Sequence, residues 1–174
     1  MNGDEQHWYA ARVKYRTEKK LKTFFLREEV NIQHFIPFRT VGRVRAGQWR
    51  KEEEPVIPCL IFVRADYTTA LSLPDQSGFT INYLRNFETG KFREIPDKQM
   101  QDFMMVLNLE EKGSIIIDHE LKRGDKVRVI RGVFAGIEGE LVRVQGHKRV
   151  VIRLEGVCSL ATTYIPPDFL EKIK

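Results

Sequence analysis

The chain has 174 residues, a net charge of +5, and ordinary shares of hydrophobic (42%) and charged (30%) side chains. Such a composition supports one or two small packed cores and excludes a mostly disordered chain. The mild basic excess suits work near nucleic acid, because Lys and Arg displace counterions from phosphates, but it does not require it.

Reading from the N-terminus, His7 to Tyr15 is aromatic and partly alternating, which predicts a strand. Thr17 then offers an N-cap. From Glu18 to Glu29 the apolar residues Leu21, Phe24 and Phe25 recur at helical spacing with charges between them, which predicts an amphipathic helix. Asn31 to Val41 contains Pro37 and reads as an edge strand, since proline cannot donate to a central ladder. Gly42 to Glu54 is basic, then acidic, and reads as a hairpin tip or mobile loop. Val56 to Ala65 is a strongly apolar central strand. Asp66 caps a short helix to about Leu73. Phe79 to Leu84 is a further strand, and Pro96-Asp97 opens a helix carrying Met100, Phe103, Met104 and Leu107. This order is close to a split βαβ, ferredoxin-like pattern.

The polar run Glu110-Glu111-Lys112-Gly113-Ser114 reads as a linker or loop. Beyond Leu121 the grammar changes to short alternating strands, 126–130, 140–145, 149–154 and 158–165, separated by glycines. That pattern predicts a small β-barrel. Residues 7–110 and 120–174 each carry a net charge of +4. The expected organisation is therefore an α+β N-terminal domain at 7–109, a linker at 110–120 and a barrel at 121–174.

Cys59 and Cys158 sit among apolar neighbours without a CxxC pair, and are expected to be buried reduced thiols. Met1 to Gln6 is polar and acidic, unlike a signal peptide, and the longest apolar run, Pro55 to Val63, is too short to cross a membrane. A cytoplasmic location without a membrane partner is expected. His7, His34, His119 and His147 are scattered, and no P-loop, G-x-S-x-G or G-x-G-x-x-G occurs. The expectation is a non-enzyme with no cofactor and no metal.

Gly124 to Gly139, Gly-Asp-Lys-Val-Arg-Val-Ile-Arg-Gly-Val-Phe-Ala-Gly-Ile-Glu-Gly, resembles a KOW motif, with Gly124, Gly132, Phe134, Gly136, Ile137 and Gly139 as its marked positions. Val127, Val129 and Leu141 are expected to face a core, with Lys126 and Arg128 outward. Trp8-Tyr9 and Ile57-Pro58-Cys59-Leu60-Ile61-Phe62-Val63 resemble the NGN domain of NusG-type factors. Together they are similar to a NusG-like elongation or antitermination factor, with a ferredoxin-like NGN domain followed by an SH3-like KOW barrel. Ala161 to Pro167 and Pro96 to Met100 resemble, more narrowly, the UpxY-type antiterminators of capsular polysaccharide operons. One departure stands out: the family's Pro-Gly-Tyr is here Pro58-Cys59-Leu60.

The resemblance implies a monomer that docks an apolar patch on the coiled-coil clamp helices of the largest RNA polymerase subunit and disfavours the paused state. By carry-over, Tyr9, Ile57, Leu60, Phe62 and Tyr83 are assigned to that patch, while strand alternation fits each of them equally to the core. Arg12, Lys14, Arg16, Lys19, Lys20 and Lys22 read as a solvated face or as phosphate contacts to upstream or non-template DNA. Arg43, Arg45, Trp49, Arg50 and Lys51 are the better candidates for contact with polymerase, DNA or nascent RNA, with Trp49 as a stacking platform. The resemblance also implies that the KOW domain recruits a ribosomal protein, a termination factor or nucleic acid. For Phe134 and Ile137 two roles stay open, partner contact or closure of the barrel end. The competing functional readings are a general NusG factor and a ribosome- or RNA-binding KOW protein.

Overall fold

The computed structural model describes residues 5–109, 116–118, 124–144 and 146–174. The chain divides into two compact units, Met1–Glu94 and Ile95–Lys174. The expected linker lies outside the described residues except at Ile116–Asp118, which form a strand. His119, Leu121 and Gln145 also lie outside them.

In the first unit the order is β1 (His7–Val13), α1 (Glu18–Phe25), β2 (Gln33–Phe35), β3 (Phe38–Arg45), β4 (Gln48–Pro55), β5 (Leu60–Ala65), α2 (Tyr67–Ser77) and β6 (Ile81–Tyr83). Strands β2, β5, β1 and β6 lie in that order in an antiparallel sheet. The β1–β5 register pairs Tyr9 with Val63 and Ala11 with Ile61. Strand alternation therefore puts Tyr9, Ala11, Val13, Ile61, Val63 and Ala65 on one face. The apolar stripe of α1 (Leu21, Phe24, Phe25) and Ala70 and Leu73 of α2 join them in one buried cluster.

Helix α1 ends at Phe25, four residues before the predicted end, with Leu26 as its C-cap. Thr17 occupies the N-cap position, yet its hydroxyl donates back to the Lys14 carbonyl at 2.6 Å and caps no helical N–H. Asp66 does cap α2: its carboxylate accepts from the Thr69 N–H at 2.9 Å and from the Thr69 hydroxyl at 2.6 Å. The predicted edge strand over 31–41 splits at Ile36-Pro37 into β2 and β3. Proline's fixed φ and missing N–H end the first ladder there.

Strand β7 (Glu94–Ile95) straddles the division, and α3 (Asp97–Leu109) opens the second unit. There follow β8 (Ile116–Asp118), β9 (Asp125–Val129), β10 (Glu138–Val144), β11 (His147–Leu154), β12 (Cys158–Tyr164), a short 3-10 turn (Pro167–Phe169) and β13 (Leu170–Lys172). Six strands form one antiparallel sheet in the order β13-β9-β10-β11-β12-β8. Val127 and Val129 are buried while Lys126 and Arg128 are exposed, as strand alternation requires. Leu141, expected in the core, is only half-buried. A Cβ at Gly139 would press on the Val151 carbonyl of the neighbouring strand, so only glycine lets the two backbones approach this closely.

Helix α3 is fixed to the sheet by two side chains one turn apart. The Lys98 ammonium pairs with Asp102 at 2.6 Å and donates to the Gly136 carbonyl at 2.8 Å. The other oxygen of Asp102 accepts from the Glu138 N–H at 3.1 Å. This arrangement satisfies a carboxylate that is itself buried.

Candidate functional site

The five apolar residues expected as a solvent-facing patch are all buried: Leu60 and Phe62 have no exposed surface, and Tyr9, Ile57 and Tyr83 keep at most 9%. That corrects their placement. A run such as Leu60-Ile61-Phe62-Val63 is apolar on both faces and makes a strand buried on both sides. Burial also sets the chemistry of the two tyrosines. Loss of solvent, followed by the nearby Glu94 and Asp66 carboxylates, pushes the Tyr9 phenol up to about 12. Burial alone is the main cause that pushes Tyr83 upward. Both therefore stay neutral across the physiological range.

These tyrosines nevertheless lead to the surface through an aromatic cluster. Tyr9 meets Tyr83 and Phe92 edge-on at 6.2 and 5.8 Å, Tyr83 stacks on Phe92 at 4.4 Å, and Phe92 lies 4.8 Å from Tyr67. Tyr67 is exposed at the start of α2. The Arg85 guanidinium covers Phe92 at 5.0 Å and donates to the Gly90 carbonyl. Between them Asn86 builds a tight turn, its side-chain oxygen accepting from the Glu88 N–H at 2.8 Å. The turn presents Phe87 with 97% of its surface in solvent. Tyr67 and Phe87 were not singled out from sequence; a lone aromatic inside Asn-Phe-Glu-Thr-Gly, a turn composition, was the available signal.

Of the hairpin tip or mobile loop expected after Gly42, the structure shows the hairpin, as a regular two-stranded ribbon. Strands β3 and β4 pair in register from Phe38↔Pro55 to Arg45↔Gln48, leaving Ala46-Gly47 as a two-residue turn. Both turn residues have positive φ, 49° and 75°, the signature of the turn that matches ribbon twist. Cross-strand partners share a face, so Arg39, Arg43, Arg45, Arg50, Glu52 and Glu54 lie on one side. The carboxylates knit that side together. Glu54 takes Arg39 at 2.7 Å and also binds Arg43, while Glu52 takes Arg45 at 2.6 Å. Hydrogen bonds from Arg39 and then Arg43 hold the Glu54 carboxyl below its ordinary value. The third acid, Glu53, pairs with Lys19 of α1 at 3.3 Å. Arg50 and Lys51 have no carboxylate partner among the described residues. Where the ribbon meets α1, a cleft of about 330 Å3 includes Tyr15, Lys19, Phe38 and Arg43 in its wall.

The opposite face of the ribbon carries Trp49, Val44, Gly42 and Lys51. Trp49 is 69% exposed, and its ring lies over Gly42, where a Cβ would collide with it. Thus Arg43, Arg45, Trp49, Arg50 and Lys51 are all exposed on one element, but on two chemically different sides.

Among the described residues no group of three His, Cys, Asp or Glu side chains converges as a metal would need. No described helix is long and apolar enough to cross a membrane.

Comparison with known proteins shows what this arrangement belongs to. Residues 6–104 match the family model described as NusG, transcription termination factor nusG. The chain belongs to the NusG family. It is 25% identical, over 146 residues, to the transcription termination/antitermination proteins NusG of Streptococcus pyogenes serotypes M3 and M1, covering 80% of this chain and 77% of theirs. A solved structure described as "Domain interaction in Thermotoga maritima NusG" aligns over 98% of both chains at 21% identity, with a TM-score of 0.42.

Within this NusG-family chain, the Pro58-Cys59-Leu60 departure has a visible consequence. Cys59 sits at φ +61°, where glycine is at ease and a side chain is not. The buried Glu18 holds the strained residue, its carboxylate accepting from the Cys59 N–H at 2.8 Å. In the second unit Phe134 and Ile137 are buried, so of the two roles considered for them the structure places both inside. Val133 and Ile130 are the exposed apolar residues of that loop. Gly132 and Gly136 have positive φ, while Gly124 and Gly139 permit close backbone approach.

Proposed function

We propose that this NusG-family factor binds RNA polymerase during elongation and suppresses termination, with an NGN-type first domain (7–109), a linker (110–120) and an SH3-like KOW domain (121–174). The observation that carries the reading is the family match from residue 6 to residue 104, which spans every element from β1 into α3. The factor acts by population shift: it binds the pause-resistant state of polymerase more tightly than the paused one.

In this reading the clamp helices of the largest subunit meet an apolar surface supported by Tyr9, Ile57, Leu60, Phe62 and Tyr83. Because these side chains are buried, they act through what they hold in place. Tyr67 is the exposed end of the aromatic cluster that Tyr9 and Tyr83 build. The cationic ribbon contacts upstream or non-template DNA, or nascent RNA, through phosphates. The loop containing Phe134 and Ile137 offers Val133 and Ile130 to a ribosomal protein or termination factor. The protein works in the cytoplasm as a monomer.

We further propose that it serves particular operons, of the capsular polysaccharide kind, on the strength of the Ala161–Pro167 and Pro96–Met100 segments. Deleting the gene and mapping transcripts across the genome tests this. Loss of distal reads confined to a few long operons supports the specialised role. A uniform change in elongation across the genome supports a general factor instead.

A further inference from the structure

The tip of the Trp49 face takes no part in the core of the first unit. Trp49 and Val44 are cross-strand partners, 69% and 66% exposed, and neither belongs to the buried cluster of the first unit. Yet the indole is not loosely placed. Gly42 leaves room for it, and no other residue could stand there without displacing the ring. The ring is thus seated against the ribbon at Gly42 while most of the residue stays in solvent.

The charge around it is selective. The ribbon from Phe38 to Pro55 has five basic and three acidic side chains. Glu52, Glu53 and Glu54 are all engaged, with Arg45, Lys19, and Arg39 with Arg43 respectively. The cations left over are Arg50 and Lys51, the neighbours of Trp49 in sequence, and Lys51 shares its face. A pre-seated aromatic ring with an uncompensated cation, Lys51, on its own face is the arrangement that stacks a base and holds the adjoining phosphate. A protein partner would call for a wider apolar surface, and among the described residues of the ribbon Val44 is the one other exposed large hydrophobic.

We propose that Trp49, seated on Gly42, is a base-stacking site for single-stranded nucleic acid, with Lys51, on the same face, holding a flanking phosphate. This deepens the assignment of the ribbon to nucleic-acid contact and rests on it. It also predicts preference for unpaired strands, since a base inside a duplex has no free face to offer.

The test uses the full chain without polymerase. Short single-stranded DNA and RNA oligonucleotides of one sequence, and the corresponding duplex, are titrated at low salt while Trp fluorescence is read. Trp8 is buried, so quenching by stacked bases reports on Trp49. Trp49→Phe, which keeps a ring, identifies that signal. Trp49→Ala, checked for native circular dichroism, should bind single strands roughly 5- to 150-fold more weakly, the loss expected for one stacked base. Trp49→Phe should keep most of the affinity, and Gly42→Val should lose much of it. Tighter binding of RNA than DNA, or the reverse, tells which strand is the natural source. Equal affinity for duplex, or wild-type affinity in Trp49→Ala, overturns the stacking site. If Lys51→Glu then still weakens binding, the phosphate contact survives without it; if no oligonucleotide binds the wild type at all, both fall.

Discussion

The β1–β5 pair and the β3–β4 ribbon lie in the same unit and are both antiparallel ladders, six register pairs in one and eight in the other. The shorter ladder is buried: Leu60, Ile61, Phe62 and Val63 have no exposed surface. The longer one contributes nothing to a core between Arg39 and Glu54 and is held by its turn and its ion pairs. Burial makes the first rigid and intolerant. Exposure leaves the second free to carry charge and an aromatic ring. In this chain the chemistry available to a partner lies on the element that stability does not need, as is usual where function is displayed on a rigid scaffold.

The sharpest way to break that contrast is Leu60→Asp. It places an uncompensated charge in a site without solvent, and the first unit should fail to fold. The milder Leu60→Ala should cost about 2–5 kcal/mol in urea denaturation. A folded, stable Leu60→Asp would show that β5 is not the core strand described.

Asp66→Ala should cost about 1 kcal/mol, the usual worth of an N-cap. Hydrogen bonds from the Thr69 hydroxyl and then its N–H hold the Asp66 carboxyl below its ordinary value. The folded pKa is depressed, so the stabilisation is complete above about pH 4, the unfolded value, and lost as pH falls through the lower folded one. The denaturation midpoints of wild type and Asp66→Ala should therefore converge in strong acid; a constant gap down to low pH would contradict the cap.

On the ribbon the expected effects are smaller. Ala46→Asn suits a turn residue at positive φ and should gain about 0.5 kcal/mol, read from the same denaturation curves. Glu54→Gln removes the carboxylate that Arg39 and Arg43 share, but both partners are exposed and solvent screens the loss. Its thermal midpoint should stay within about 2 °C of wild type, and the difference should vanish in high salt. A large drop would mean that the ribbon carries stability after all.

The sequence made some of this architecture legible and hid the rest. The Leu21, Phe24 and Phe25 stripe announced α1, and Asp66 announced α2, because both signals are local. The composition of Gly42 to Glu54 leaves a hairpin tip and a mobile loop both open, because its residues are polar on both sides. The ribbon's order comes from cross-strand pairing of Arg39 with Glu54 and Arg43 with Arg50, which no local pattern displays. The apolar run at Leu60 gave the strand correctly, but a run apolar on both faces is a core strand, and the carried-over contact surface was placed there. Cys59 could not be seen as strained until its φ was known, although the missing glycine of Pro58-Cys59-Leu60 marked the position. Trp49 was visible as an aromatic among cations; its seat on Gly42, seven residues away, was not.

The most direct test of the central claim is capture of purified bacterial core RNA polymerase by the immobilised chain, wild type beside Tyr67→Asp. Tyr67 is exposed on α2, so the variant should fold. The account predicts that wild type retains polymerase and that the variant retains markedly less. A wild-type chain that captures no polymerase, but retains purified ribosomes or RNA in the same assay, would contradict it and leave an RNA- or ribosome-binding protein in its place.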